Sequence, residues 1–437
     1  MKRYCTTALL LCFAVLNLVQ VQAQEKLSLN DAIQLALEKN FNLSIARNDV
    51  EVADLQNNWG NAGRLPTVNA QGGYSISSNN LDQRLSNGTN IKRNGATFQS
   101  ENASVNAQWR VFNGFRVLAA KSRLDEQERI ANIGVRQQAN LVVYDVITAF
   151  LNILRFQAQR VATQELSTLV EERMVLAENR FNIGVAGKSD YLQAVADYNA
   201  AKTNIISIEN SIAQEKVRLN NLMSRDPMDS IAVVDSVNHV EFGNREQILA
   251  AVDTMNPALL IARSQLKVLY QQRREINSQR LPTLSINGGA SINNSVNSAG
   301  FTLRNTTYGP TGGVSLAVPI FQGNVVKQNL KVNEVLQKSQ QTQIESIKND
   351  LMAALATAYN NFNNAERQYK LEQENLEVVK ENNLIATERF KKASITSVEF
   401  RQTQINLIES QTRMINARYD MKQAEADVLL IMGKLVE

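Results

Sequence analysis

Residues 115–183 of the chain read FRVLAAKSRLDEQERIANIGVRQQANLVVYDVITAFLNILRFQAQRVATQELSTLVEERMVLAENRFNI, with no proline and a single glycine, Gly134. Residues 324–392 form a second stretch of the same length with neither glycine nor proline. As one α-helix with a rise of about 1.5 Å per residue, each stretch would be roughly 100 Å long. Such helices are several times longer than those of globular domains, so the sequence argues against a compact single-core domain.

The two long stretches are copies of one another. Phe112-Asn113-Gly114 corresponds to Phe321-Gln322-Gly323, and Arg180-Phe181 corresponds to Arg389-Phe390, both at an offset of 209. The sequence therefore predicts an internal duplication. The first repeat is expected over 24–224, with a β-hairpin at about 66–112 and a long helix at about 115–183. A short linker follows at 225–243. The second repeat is expected over 244–437, with a hairpin at about 282–319 and a long helix at about 324–392.

The N-terminus resembles a signal peptide over residues 1–23. Lys2 and Arg3 precede an apolar run, and Val21-Gln22-Ala23 supplies small residues for cleavage. Both cysteines of the chain, Cys5 and Cys12, lie in this segment. No later apolar run has the length expected of a membrane-spanning helix, so the sequence predicts an exported protein that does not cross a membrane as helices.

Shorter helices are expected on either side of each hairpin and long helix. Ser28 and Asp31 have the spacing of a capping box at the start of the first one. Arg64-Leu65-Pro66 and Arg280-Leu281-Pro282 end two of them, since proline cannot continue a helix. The expected ranges are 28–61, 190–223, 244–280 and 398–432.

The hairpin segments change period from 3.6 to 2. Val68, Tyr74, Val105, Ile286 and Leu316 belong to apolar sets that alternate with polar sets containing Gln71, Asn106 and Asn287. The pattern predicts strands of about ten residues and a polar loop over 79–97. It is typical of a membrane β-barrel, with one face toward lipid and the other toward water. A soluble hairpin with one buried face gives the same alternation.

The first long helix carries two adjacent apolar stripes. The members of the two stripes are Val142, Val146, Ala149 and Ile153, and Val143, Ile147, Phe150 and Leu154. A helix with two such seams can pack against a neighbour on each side, as in a tube of helices or in an ordinary bundle.

Taken together, the signal peptide, the duplication, two hairpins, paired long helices and the Arg-Phe-x-x-Gly motif at residues 180–184 resemble the TolC-type outer-membrane efflux proteins. The resemblance implies a mainly α fold with a membrane β-barrel portion, in which a homotrimer forms a 12-stranded barrel continued by an α-helical barrel. Four strands per chain leave two open edges, which lipid does not tolerate, so closure by three copies is also expected physically. The implied partners are outer-membrane lipid, a periplasmic adaptor protein and an inner-membrane pump of RND or ABC type.

The resemblance also assigns roles to particular residues. Adaptor docking falls to the helix tips, where Arg180 offers a forked donor and the glycines permit a sharp turn. The residues so assigned are Arg180, Phe181, Gly184, Gly187, Arg389 and Phe390. Ala393 replaces the first tip's Gly184 in the second tip, so the two tips are not expected to act equally. Candidate entrance-gate residues are Asp190 and Glu399, although both also suit helix capping. The barrel junctions are Pro66, Gly114, Pro282, Pro319 and Gly323.

Enzyme chemistry finds little support in the sequence. The single histidine, His239, and the absence of cysteine after Cys12 argue against cysteine–histidine nucleophiles and ordinary zinc sites. No cofactor, metal or nucleic acid is expected, and the cargo stays open between small molecules and polypeptides. The alternative interpretation is a secreted coiled-coil scaffold or adhesion protein without a pore, which explains the long helices but not the two matched hairpins.

Overall fold

The computed structural model describes residues 25–235, 245–392 and 394–436. The expected signal peptide, His239 and Ala393 lie outside these residues. In chain order the elements are β1 (Glu25–Leu27), α1 (Leu29–Lys39), α2 (Phe41–Gln56), β2 (Thr67–Arg84), β3 (Asn90–Asn113), α3 (Arg116–Asn182), α4 (Lys188–Leu222), β4 (Ile231–Val233), α5 (Arg245–Met255), α6 (Pro257–Ser278), β5 (Thr283–Asn297), β6 (Arg304–Ala317), α7 (Val325–Lys391) and α8 (Ser397–Met432).

The described residues divide into two compact units. The helical unit contains the described parts of 25–46, 135–257 and 348–436, and the sheet unit contains 47–134 and 258–347. The helical unit has its main core around α3, where Val146, Ala149, Phe150 and Ile153 are fully buried together with residues of α1, α4 and α8. The sheet unit contains strands β2, β3, β5 and β6 and a small apolar cluster around Ala120.

The long helices α3 and α7 have 67 residues each. Each begins directly after two successive residues in the left-handed backbone conformation, Gly114-Phe115 and Gly323-Asn324, with φ between 58° and 68°. Two successive left-handed residues turn the chain sharply, and residues with a side chain, such as Phe115 and Asn324, rarely adopt this conformation. The matched pairs show that the duplication extends to backbone geometry.

The helices expected at 28–61 and 244–280 are wrong as single helices, because each is interrupted by a buried asparagine. Asn40 separates α1 from α2, and Asn256 separates α5 from α6. The Asn40 side-chain amide donates to Leu222 O at 2.8 Å, and that of Asn256 donates to Ile431 O at 2.9 Å. Each asparagine thus occupies the carbonyl end of a neighbouring helix, where carbonyls lack partners within the helix.

The helices that receive these asparagines also end alike. Ser224 follows α4 with φ 52°, and Gly433 follows α8 with φ 72°. A left-handed residue at this position is a common way to end a helix, and glycine is preferred there. The first repeat places a serine in a conformation that the second repeat assigns to glycine.

The two seams of α3 form as the sequence predicts. Seven of the eight stripe residues are buried, and Ile147 packs against the core from a partly buried position. The expectation that no helix is apolar enough to span a membrane is wrong for α3, which contains one window that qualifies by length and composition. Just over half of that window, 56%, is buried inside the protein, so its apolar residues serve the core of the helical unit.

The main sheet has the strand order β2-β3-β5-β6, and each neighbouring pair is antiparallel. The strands are longer than the ten residues expected, with 18 residues in β2 and 24 in β3. Most of the segment 79–97, expected as a loop, is therefore strand. The sequence suggested a loop because small polar residues on both faces of a strand show no apolar alternation. A second sheet in the described chain consists of β1 and β4, paired in parallel.

Candidate functional site

One face of the main sheet is apolar over five successive rows. Even-numbered residues of β5 from Leu284 to Ile292 occupy its middle. Their partners are Phe112, Trp109, Ala107, Val105 and Ala103 on β3, and Leu316, Val314, Gly312, Pro310 and Tyr308 on β6. Val68, Ala70 and Gly72 of β2 extend three of these rows. The exposed fraction is 70% for Val314 and 82% for Tyr308, so the face has no cover from the described part of the chain.

A polar network ends this apolar face. In the next row Tyr74, Glu101, Asn294 and Thr306 pair across the four strands. The Asn294 amide donates to Glu101 Oε2 at 3.0 Å, and the Thr306 hydroxyl donates to Asn294 Oδ1 at 3.0 Å. Side chains in this row satisfy one another, which suits a boundary between an apolar layer and a polar one.

The opposite face carries small polar residues. Odd-numbered residues of β5 from Ser285 to Ser295 occupy its middle. Their partners are Arg110, Gln108, Asn106, Ser104, Asn102 and Ser100 on β3, and Ser315, Gly313, Thr311, Gly309, Thr307 and Asn305 on β6. The face is suited to water, and its only charged member in these rows is Arg110.

The predicted junction residues differ in how tightly they are held. A Cβ on Gly114 would lie 2.5 Å from Ser278 O and 2.8 Å from Leu281 Cβ, so only glycine fits there. A Cβ on Gly323 would meet nothing within 4 Å. Pro66 and Pro282 directly precede β2 and β5, and Pro319 follows β6. The backbone at Gly114 is therefore tightly packed against neighbouring residues, whereas the space beside Gly323 is empty of described residues.

The first helix tip is a glycine-terminated turn between α3 and α4. Val185 N donates to Arg180 O at 3.0 Å and Gly184 N donates to Phe181 O at 3.0 Å, which is the bond pair of a Schellman motif. Gly184 has φ 77°, and Gly187, at φ −75°, is the N-cap of α4. A Cβ on either glycine would meet nothing within 4 Å. Exposed Ile183 (74%) and Val185 (71%) complete a small apolar tip.

Arg180 connects the two tips. Its Nη2 donates to Phe390 O at 3.0 Å, and its guanidinium lies 4.6 Å from the centroid of the Phe390 ring. The Phe390 ring stacks in turn on Phe400 of α8, with centroids 4.6 Å apart. One nitrogen of the Arg180 guanidinium is therefore already engaged within the chain, and the role of Arg180 in adaptor docking stays a prediction.

The other predicted tip residues occupy unlike surroundings. Phe181 stacks on Tyr191 with centroids 6.3 Å apart, whereas Phe390 is buried with 3% exposed. Arg389, the copy of Arg180, is exposed on α7. Ser394 N donates to Arg389 O at 2.8 Å, which corresponds to the bond from Val185 to Arg180. The structure thus brings Arg180 and Phe390 together and leaves Arg389 apart.

The two candidate gate residues also differ. Glu399 accepts from Thr396 N at 3.0 Å while its own N–H donates to Thr396 Oγ1 at 3.2 Å, so it forms the predicted capping box. Asp190 lies exposed in the first turn of α4. Its carboxylate has no hydrogen-bond or ion-pair partner in the ranges that the structure describes. Of the two, Asp190 is the one left available for other interactions.

A charged cluster that the sequence did not reveal links three helices of the helical unit. Asp197 on α4 accepts from Arg401 on α8 at 2.8 and 3.2 Å and pairs closely with Arg173 on α3. Arg173, with 6% of its side chain exposed, also donates to Gln404 Oε1 at 2.9 Å. These residues border a cavity of about 240 Å³. The available signal was a charged residue at a seam position, since Arg173 continues the spacing of buried Leu166 and Val170.

The surroundings of Asp197 change its acidity. Burial raises the pKa of its carboxyl, but hydrogen bonds from Arg401 and Gln193 and the charges of Arg173 and Arg401 outweigh burial and hold the pKa below its usual value. The carboxylate therefore stays ionised at neutral pH. An ionised Asp197 compensates two arginines, which makes it the centre of the cluster.

Comparisons with known proteins agree with this geometry. The family described as outer membrane efflux protein matches residues 32–225 and 251–434. "Outer membrane protein TolC" of Escherichia coli (strain K12) is 21% identical over 438 residues, covering 96% of this chain and 83% of that protein. "Toxin and drug export protein A" of Aggregatibacter actinomycetemcomitans is 22% identical, covering 78% of this chain and 72% of that protein.

The fold is also found in solved structures. The Campylobacter jejuni CmeC outer membrane channel superposes with a TM-score of 0.77 at 16% identity, and the match covers 93% of this chain and 85% of that one. At this identity the likeness concerns the fold alone. Together with the family match over both repeats, it accounts for the duplicated order of hairpins and long helices.

Proposed function

Because the chain belongs to the outer membrane efflux protein family, and is thus an efflux duct of the outer membrane, we propose that three copies close one 12-stranded barrel. The open edges of β2 and β6 support this proposal. In lipid an unpaired strand edge leaves backbone groups without hydrogen bonds, at a cost of several kcal/mol for each group. Pairing of β6 with the β2 of another copy removes both kinds of edge, and three copies give a water-filled interior.

The apolar rows have the height needed for a membrane. From Leu284 to Ile292 the strand rises about 27 Å at 3.4 Å per residue, or roughly 21 Å across a membrane at a tilt near 40°. Outward-facing apolar bands of outer-membrane barrels are about 25 Å tall and are bordered by aromatic residues. Phe112 and Tyr308 occupy the two end rows of the apolar face, and Trp109 lies one row inside Phe112. We therefore place this face against lipid and the opposite face toward the lumen.

The proposal extends to partners at the helix tips. The exposed Ile183 and Val185 and the open space beside Gly184 and Gly187 support a docking surface for a periplasmic adaptor. The adaptor would connect the duct to an inner-membrane pump of RND or ABC type, as in a tripartite efflux or type I secretion system. In this arrangement Arg180 acts by holding the two tips together, and Asp190 rather than Glu399 is the acidic residue available to line a closed entrance.

The trimer is tested by the mass of the purified protein with bound detergent subtracted. Three chains per particle are expected. A stable, folded monomer would contradict the proposal.

The assigned faces are tested by arginine substitution. Val105→Arg, on the apolar face, should cost about 2–4 kcal/mol of stability near the membrane midplane, whereas Asn106→Arg, its neighbour on the polar face, should cost little. Equal loss of assembly for both variants would contradict the assignment.

Docking at the first tip is best tested at Gly187. Its φ of −75° suits any residue, and an added Cβ would meet nothing within 4 Å, so the base of a larger side chain displaces no described neighbour. Gly187→Phe should abolish export and adaptor crosslinking while trimers still form. Gly184→Phe should do the same with added backbone strain, because its φ is positive. Normal crosslinking in the Gly187 variant would leave the tip as a helix cap only.

A further inference from the structure

Arg110 stands alone on the polar face of the main sheet. In the rows from Ser285 to Ser295, every other residue on this face is serine, threonine, asparagine, glutamine or glycine. The remaining charged residues of these strands lie elsewhere. Glu101 and Arg304 occupy rows of the opposite face, and Asp82, Arg84, Lys92 and Arg93 lie near the β2–β3 turn. A single fixed charge per chain therefore marks an otherwise uncharged surface.

A local irregularity in β3 follows Arg110 and separates its face from that of Phe112. Arg110 pairs with Ser285, and Phe112 pairs with Leu284, with Val111 unpaired between them. Without this extra residue, Arg110 and Phe112 would share one face, because side chains two apart on a strand point the same way. The bulge lets the arginine keep the polar face while the phenylalanine joins the apolar face, and bulges commonly re-aim side chains in this manner.

The guanidinium of Arg110 is not neutralised by any described residue of its own chain. The side chain is exposed, and its two row neighbours, Ser285 and Ser315, carry hydroxyls. Across residues 25–235, 245–392 and 394–436, no carboxylate forms an ion pair with it. Its charge is accordingly available to whatever fills the space over the polar face.

We propose that Arg110 forms a ring of three positive charges at the helix-proximal end of the barrel lumen and biases the duct toward anionic solutes. This inference rests on the proposed trimer and on the assignment of the polar face to the lumen. Twelve strands about 4.8 Å apart and tilted near 40° place the backbone roughly 12 Å from the barrel axis. Since an arginine extends inward by about half that distance, its charge acts within one Debye length of the axis, about 10 Å at 0.1 M salt.

The experiment measures ion selectivity of the full trimer in planar lipid bilayers. Reversal potentials are recorded across a KCl gradient for the unchanged protein and for Arg110→Gln. We expect the variant to shift toward the cation equilibrium potential, with the cation-to-anion permeability ratio rising by about twofold or more near 0.1 M salt. Arg110→Glu should shift it further in the same direction. Near 1 M salt, where the Debye length is about 3 Å, the difference should largely vanish.

Arg304→Gln is the matched control. Arg304 pairs with Val296 on the side of the sheet that carries the apolar rows, so the substitution removes the same charge from the side opposite Arg110. It should leave the reversal potential unchanged. Comparison with the unchanged protein cancels any contribution from Asp190 at the tip. Conducting trimers whose potentials are equal for the unchanged protein and Arg110→Gln would overturn this inference alone. Folded protein that never conducts would overturn the trimeric channel and this inference together.

Discussion

Arg180 of α3 binds the carbonyl oxygen of Phe390 of α7 at 3.0 Å and covers the phenylalanine ring from 4.6 Å. Phe390 is the second-last residue of α7, so its carbonyl belongs to the group that lacks a partner within the helix. The side chain of Arg180 on α3 thus completes the C-terminal end of α7, which is the copy of α3 at an offset of 209. The two tips of a chain are coupled through this contact.

Loss of this contact should loosen the tips relative to each other. We expect Arg180→Leu to broaden the distance distribution between spin labels at introduced cysteines replacing Asn182 and Lys392, both exposed. The labels can be specific because the native cysteines, Cys5 and Cys12, lie in the expected signal peptide and would be absent from the mature protein. Arg389→Leu is the matched control, since it removes the copied arginine. Equal broadening in both variants would show that the Arg180 contact has no special part.

The buried asparagines between short helices should be matched in importance. Asn40→Ala and Asn256→Ala each remove a donor from a helix-end carbonyl inside the protein, and each should lower the free energy of unfolding by about 1–3 kcal/mol. Asn40 also accepts from Leu43 N as an N-cap, so its variant should be at least as costly. Chemical denaturation followed by circular dichroism measures the effect. Asn48→Ala, at an exposed position of α2, should be close to neutral.

Exchange of the two helix-ending residues should act in opposite directions. Ser224→Gly should stabilise the protein by about 1 kcal/mol, because glycine adopts positive φ without strain. The buried Ser224 hydroxyl also has no hydrogen-bond partner in the described parts of the chain. Gly433→Ser should destabilise by about 2 kcal/mol, since its Cβ would lie 2.9 Å from Met255 O. Thermal unfolding measures both. A destabilised Ser224→Gly variant would argue against strain at this turn.

The Asp197 cluster should resist ordinary changes of pH. A carboxyl whose pKa is lowered by folding stabilises the protein above its unfolded pKa, and this contribution is lost as pH falls through the folded pKa. Stability from this site should therefore be constant from about pH 5 to 8 and fall only below about pH 4. Difference melting curves of the unchanged protein and Asp197→Asn across this range provide the measurement. A difference that varies between pH 5 and 8 would contradict the assignment.

The same variant tests the energy of the cluster. Asp197→Asn leaves two arginines without their shared carboxylate, and we expect a loss of roughly 3 kcal/mol at neutral pH, as for other buried pairs that lose one partner. Glu209→Gln removes a carboxylate from an exposed pair with Arg160, whose side chains are about half exposed. That control should change stability by less than about 1 kcal/mol.

Local periodicity explains how much of this fold is legible in the sequence. The seams of α3 and the faces of the sheet formed by β2, β3, β5 and β6 follow from apolar spacing, because an apolar environment on one side imposes a period of 3.6 or 2 on neighbouring residues. The helix break at Asn256 had a visible sign in Pro257, the first residue of α6. The break at Asn40 had none of comparable strength, since its cause is a carbonyl of Leu222, far away in the chain.

The residues at the tips show where local reasoning ends. The turn at Gly184 and the capping box at Glu399 depend on neighbours within a few positions, and the sequence was sufficient for both. Arg401, which binds Asp197, and Phe390, which binds Arg180, lie on helices about 200 residues away from their partners. The spacing of charged residues along the sequence does not specify such a pairing, because the pairing depends on how the helices align side by side.

The free edges of β2 and β6 have a consequence for how the protein is made. A newly exported chain meets water with two rows of unpaired backbone donors and acceptors, and any other exposed strand competes for them. In the proposed trimer, correct closure needs meetings between several copies, whereas a wrong pairing needs only one foreign strand. Biogenesis is therefore sensitive to the rate of synthesis and to crowding by other unfolded barrel proteins, and helpers that mask strand edges during transit would raise the yield of finished ducts.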